Sequence, residues 1–211
     1  MTYSEDFFTI AHQLIEAGRF IDSKGWVPAT SGNFSARLPD GTIAITVSGK
    51  HKGRLQPDDI MLIDADANPL DGKKPSAETQ LHTSLYKRFP AIQSVLHPHS
   101  INAMLISRLF KTEIVLEDYE LLKALAGIDT HQSRVIIPIF DNDQNIPRLA
   151  EQVEQYLDRQ IEDNIYAYII AGHGFYTWGS SIQETLRHLE ALEYLFECEL
   201  RMVGLGSGGV R

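Results

Sequence analysis

The chain holds a single cysteine, Cys198, so no internal disulfide can form and a reducing, cytoplasmic setting is expected. Cys198 falls in a helical pattern and reads as a small buried hydrophobe. No apolar run approaches the roughly 20 residues that a membrane helix needs, and residues 1–6 are polar and lack a leader pattern. Basic residues are also scarce. Lys and Arg number 19 against 28 Asp and Glu, and the net charge of −9 argues against a nucleic-acid or anionic-membrane surface. That balance leaves room for a small phosphorylated substrate, which local amides and hydroxyls can hold. Neither a P-loop nor a dinucleotide fingerprint occurs, so ATP and NAD are not indicated. Repeats, low-complexity tracts and linkers are missing too, which favours one domain over residues 1–211 with a flexible tail at 204–211.

What is present suits a globular core: 43% of residues are hydrophobic and 22% charged. Phe7, Ile10, Ala11, Leu14, Ile15 and Ala17 recur at helical spacing, with Gly18 as the expected stop. Residues 34–38 and 42–47 alternate as strands around Pro39-Asp40-Gly41, a hairpin signal. Further strands are expected at 60–63, 92–96, 114–116, 135–139 and 166–170. Helices are expected at 77–89, 101–109, 118–125, 146–160 and 181–203. Interleaved strands and helices with an early hairpin predict an α/β fold, a mixed or antiparallel sheet covered on both faces.

The chemistry concentrates where apolar runs end. His97-Pro98-His99 follows a buried strand, and residues two apart on an extended segment share a face, so both imidazoles can aim at one point. Pro98 stiffens that presentation. His173, bracketed by glycines, also follows an apolar strand. Three neutral imidazoles with an open fourth position make a catalytic zinc arrangement, although the spacing to His173 does not establish that the three meet. His12, His51, His82, His131 and His188 read as surface or hydrogen-bonded residues. Glu78 opens a helix, where the dipole favours an acid in any case, and Glu120 alone would read as a solvated helix acid. Thr30-Ser31-Gly32-Asn33, Ser48-Gly49 and Pro75-Ser76 are loops able to offer amides and hydroxyls to an oxyanion.

Taken in order, Ser31-Gly32-Asn33, Ser48-Gly49, Pro75-Ser76-Ala77-Glu78, His97-Pro98-His99 and Gly172-His173-Gly174 resemble the class II aldolase/adducin family over nearly the whole chain. The resemblance implies a three-layer α/β/α fold around a mostly antiparallel sheet, assembled as a homotetramer with active sites at subunit boundaries. It implies one divalent metal, commonly Zn2+, on His97, His99 and His173. It also implies a phosphorylated ketose whose phosphate sits among Thr30, Gly32, Asn33, Ser48, Gly49 and Ser76. Within the family, Asp118-Tyr119-Glu120-Leu121-Leu122-Lys123 is most similar to a dehydratase branch acting on a methylthio ketose phosphate. There a glutamate three residues before a lysine is the acid/base, a role carried to Glu120. Family aldolases use the glutamate matching Glu78, so an aldolase or 4-epimerase is the second expectation. A non-catalytic adducin-like module is the third, and the three histidines speak against it.

Overall fold

Strands that are apolar on both faces need cover on both faces, and that requirement shapes this chain. The computed structural model describes residues 3–160 and 165–207. Its strands are β1 (Asn33–Arg37), β2 (Ile43–Thr46), β3 (Ile60–Ile63), β4 (Ser94–His97), β5 (Glu113–Leu116), β6 (Val135–Phe140), β7 (Ala167–Ile170) and β8 (Gly174–Gly179). They form one eight-stranded sheet in the order β3-β2-β1-β4-β8-β7-β6-β5. Among the described residues only β6 and β7 pair in parallel; the other neighbours run antiparallel.

The helices are α1 (Glu5–Ser23), α2 (Thr79–Arg88), α3 (Ile101–Leu109), α4 (Ile146–Arg159) and α5 (Ile182–Ser207). Phe7 and Leu14 of α1, Ile106 of α3 and Leu189 of α5 pack with Phe34, Leu96 and Phe175 in one buried cluster. Leu81 and Leu85 of α2 and Leu149 and Val153 of α4 pack with Val95, Tyr168 and Tyr176 in a second. Adjacent residues such as Val95 and Leu96 thus enter different clusters, as the two-residue period of a strand demands. Burying one such leucine stabilises the fold by about 1.5–3 kcal/mol. The result is the α/β/α sandwich around a mostly antiparallel sheet.

Local signals explain the boundaries. Ser4 Oγ accepts the Phe7 N–H at 3.2 Å, and Glu5 and Asp6 fill the first turn of α1. Asp40 accepts from the Thr42 N–H at 2.9 Å, which closes the β1–β2 hairpin.

The structure corrects three sequence expectations and adds a strand. Gly18 does not stop α1, which continues to Ser23. A Cβ there would lie 2.4 Å from the Lys52 carbonyl oxygen, so Gly18 permits a close approach within the helix. The segment after His173, to which the sequence assigned no element, is β8, which pairs with both β4 and β7. The helix expected from residue 77 begins at Thr79, with Glu78 at its N-cap. Finally, α5 extends to Ser207, so residues 204–207 of the expected tail are helical, and 208–211 lie outside the described residues.

Candidate metal centre and anion cradle

His97 ends β4, opposite Asn33 of β1. Pro98 then breaks the strand, and Ser100 caps α3 by accepting the Ala103 N–H at 3.1 Å. The His99 N–H donates to the Trp26 carbonyl at 2.8 Å, which fixes the turn. His173 sits in the turn between β7 and β8, its N–H donating to the Ile170 carbonyl at 3.1 Å. A Cβ on Gly174 would lie 2.2 Å from the Pro98 carbonyl oxygen, so glycine lets the two histidine-bearing turns touch.

The three rings meet, with centroids 4.6 Å apart for His97–His99, 4.3 Å for His99–His173 and 5.1 Å for His97–His173. Glu78 joins them. Its Oε1 lies 3.0 Å from His173 Nε2 and its Oε2 3.5 Å from His97 Nε2. One ligand atom from each of Glu78, His97, His99 and His173 lies within 4.8 Å of all the others.

The electrostatics suit a cation. Burial pushes the His97 imidazole down to about 3. Burial, followed by the charges of His97 and His173, pushes His99 down to about 2. Both rings are therefore neutral at pH 7. Burial pushes Glu78 upward, but the His173 hydrogen bond, the positive charge that His97 and His173 carry when protonated, and the Asn33 hydrogen bond outweigh it and hold the carboxylate below its ordinary range. His97 Nδ1–H donates to the Phe175 carbonyl at 2.8 Å, which leaves the Nε2 lone pair facing the centre. Tyr176 stacks on the same ring at 4.0 Å and 12°, which fixes its plane. His97 Nε2 and His99 Nε2 stand 2.9 Å apart, a spacing that requires a proton or a cation between their lone pairs. Neutral imidazoles, a carboxylate and an oriented ring fit a divalent metal.

Behind Glu78 runs a chain of buried hydrogen bonds. Asn33 Nδ2 donates to Glu78 Oε2 at 2.7 Å, so Asn33 Oδ1 faces His82 Nε2, with which it is hydrogen-bonded. His82 Nε2 then carries the proton. His82 Nδ1 accepts from Ser35 Oγ at 2.7 Å, and Ser35 accepts from the Tyr86 hydroxyl at 2.9 Å. Burial pushes His82 down to about 3, which keeps it in this neutral tautomer. Its hydrogen-bonded state fits the sequence reading, but its place beside the centre was missed. The available signal was spacing: residues 78 and 82 are one helical turn apart.

Beside the centre opens a cavity of about 160 Å³. Thr30, Gly32, Asn33, Ser48, Gly49 and Ser76 all line it, with Ser31, Lys52, Glu78 and His99. The loops that could hold an oxyanion thus share the cavity wall with Glu78 and His99 of the metal-ligand cluster. Lys52 went unassigned in the sequence, because a lysine in a loop looks like any other polar loop position, whereas Ser31 belongs to an oxyanion loop that the sequence did single out.

Glu120 stands elsewhere. It lies in a 3-10 turn, Glu120–Ala124, paired with Lys123 at 2.7 Å, and its side chain is 74% exposed. The Lys123 hydrogen bond and charge hold its carboxyl below the ordinary range. With Leu121, Ala124, Arg187, Ala191 and Tyr194 it borders an open hollow of about 610 Å³ against α5. Within one copy of the chain, Glu120 does not join the histidine cluster.

Comparison with known proteins identifies the family and the fold. The Class II Aldolase and Adducin N-terminal domain matches residues 12–200. A methylthioribulose-1-phosphate dehydratase from Methylococcus capsulatus is 65% identical over 203 residues, spanning 96% of this chain and 98% of that protein. One from Pseudomonas savastanoi is 55% identical over 192 residues, spanning 90% and 93%. The crystal structure of L-fuculose-1-phosphate aldolase from Thermus thermophilus superposes with a TM-score of 0.76 over 96% of this chain and 99% of that one, at 22% identity. YgbL from Klebsiella pneumoniae gives 0.80 over 94% and 92%, also at 22%. At such identities the likeness shows the fold alone.

Proposed function

The chain belongs to the class II aldolase and adducin family, and from that premise we propose that it is a hydro-lyase removing water from 5-methylthioribulose 1-phosphate. The product is 2,3-diketo-5-methylthiopentyl 1-phosphate, a step of methionine salvage. The observation that carries this reading is the shared wall between the Glu78/His97/His99/His173 cluster and the hydroxyl-lined cavity, in a chain 65% identical to a dehydratase of that name.

His97, His99 and His173 would hold one divalent ion, zinc by its preference for such a donor set, which supplies Lewis-acid polarisation of a ketone. Thr30, Gly32, Asn33, Ser48, Gly49 and Ser76 would hold the phosphate and set the distance from it to the C2 carbonyl. Glu78, ionised and aimed into the centre, removes the C3 proton, and Asn33 fixes the carboxylate in that aim. The C4–oxygen bond then breaks as Glu120 donates a proton to the departing hydroxyl. One water leaves, and the C3 enol ketonises to the diketone.

Glu120 reaches this chemistry from a neighbouring copy in a homotetramer whose sites lie at subunit boundaries. The apolar exposure of Ile101 (66%), Leu105 (49%) and Tyr194 (61%) supports an interface on this side of the molecule. The lone cysteine supports a cytoplasmic setting, and no described helix is long and apolar enough to cross a membrane.

Mixing experiments test the whole reading. Wild-type protein should form the diketone, while Glu120→Gln and His173→Ala should each be inactive. Co-assembled mixtures of the two variants should regain turnover, because some sites then combine an intact cluster with an intact Glu120. Inactive mixtures would place both residues in one copy's site. Release of a two- or three-carbon fragment in place of the diketone would move the enzyme to the aldolases.

A further inference from the structure

We propose that Lys52 is the cationic floor of the anion cradle and recognises the phosphate charge of the substrate, an inference that rests on the phosphorylated-ketose reading above. The Lys52 side chain is almost fully buried, with 1% of the residue exposed. Its ammonium donates to the Thr30 carbonyl at 3.0 Å and the Lys50 carbonyl at 2.6 Å, two backbone groups of the cradle loops. Among the described residues no carboxylate approaches within ion-pair distance of it.

A buried ammonium satisfied only by neutral carbonyls is costly, and such groups persist where a counter-charge arrives. An ammonium has three N–H donors, so two carbonyls leave one for a ligand. Of the residues lining the cradle, Lys52 alone is cationic: His99 is held neutral, and Glu78 is negative. The cradle therefore holds one buried positive charge, which suits a phosphate, and Glu78 and His99 of the metal-ligand cluster line the same cavity. Ser31 Oγ, buried and without a hydrogen-bond partner among the described residues, is a second group there awaiting an acceptor.

The mounting of Lys52 fits this role. It opens a 3-10 turn, Lys52–Arg54, and its carbonyl packs against Gly18 of α1 so closely that a Cβ at Gly18 would lie 2.4 Å away. Gly53 is pressed against Asp22 of the same helix. The ammonium thus rises into the cradle from a backbone braced on α1. Burial pushes it down to about 8, against the opposing charge of Glu78, and a bound phosphate would raise it again.

The test substitutes Lys52→Gln, which keeps an N–H donor for the two carbonyls but removes the charge. Titration of metal-loaded wild type and variant with inorganic phosphate should show binding on the order of 10- to 100-fold weaker in the variant, with metal content and melting temperature unchanged. The KM for the phosphorylated ketose should rise in parallel, with kcat changed far less. Equal phosphate affinity in the two proteins would make Lys52 a clip between loops and overturn the proposal. Should the variant fail to fold, side-chain amine NMR on wild type decides: phosphate must shift the Lys52 resonance and raise its titration, and no shift refutes the role. A wild type that binds phosphate through Lys52 yet forms no diketone would sink the dehydratase reading and leave this one standing.

Discussion

Two carboxylates are assigned to one reaction, and their surroundings could hardly differ more. Glu78 has a side chain 15% exposed, braced by Asn33 and aimed at two imidazoles. Glu120 has a side chain 74% exposed and, among the described residues, is held by an ion pair with Lys123, with His131 Nδ1 3.9 Å from its carboxylate. Burial and a fixed hydrogen bond give Glu78 a defined position before any substrate arrives, and that preorganisation makes a base effective. Glu120 has no such frame in its own copy. As the acid of the proposed reaction it would depend on a neighbouring copy that covers it and supplies the missing desolvation. The proposed active site would then join a group finished by the fold to a group finished by assembly.

The largest expected effects separate the two roles. Glu78→Gln and Glu120→Gln should each lower kcat by roughly 10²–10⁴-fold. Only Glu78→Gln should also weaken metal binding, by about 10- to 100-fold in chelator competition, since only Glu78 faces the histidines. Equal metal affinity in the two variants would erase the contrast drawn here. Next in size, His82→Leu deletes the donor to Asn33 Oδ1 and strands Ser35. Metal affinity should fall by about 10- to 100-fold in the same competition, although His82 itself is no ligand. An unchanged value would show that Asn33 holds Glu78 unaided. The smallest effect belongs to Lys123→Ala, which removes an exposed pair. The urea midpoint should stay within error of wild type, because exposed ion pairs contribute little to stability. A clear loss would mean that Glu120 is anchored in its own copy after all.

Much of this was legible before any coordinate. The His-x-His spacing at a strand end determined that two rings share a face, and sheet pairing then placed them beside Asn33. A sheet covered on both faces followed from the interleaving of strands and helices, and the α/β/α layering from the family resemblance. What escaped was tertiary in origin. Gly18 mimics a helix stop because a glycine needed for close packing and one needed for a positive φ look alike in sequence. The β8 segment, Gly174–Gly179, is bounded by glycines, which masked the strand preference of Phe175, Tyr176, Thr177 and Trp178. His82 and Lys52 escaped because a polar residue in a helix or loop is usually solvated, and only the fold shows that these two are buried. The proposed role of Glu120 would depend on assembly, which one chain's sequence does not specify.

The hydrogen bonds at the centre join residues far apart along the chain: Asn33 and Glu78 are separated by 45 positions, and His97 and Phe175 by 78. Closing such long loops costs entropy that local contacts do not return, so these groups meet only after the sheet has largely formed. An ion bound there adds its free energy late on the folding route. It slows escape from the native state far more than it hastens arrival. A metal held there would be a latch on a finished sheet, and the lifetime of the folded chain, more than its folding rate, would rise and fall with metal supply.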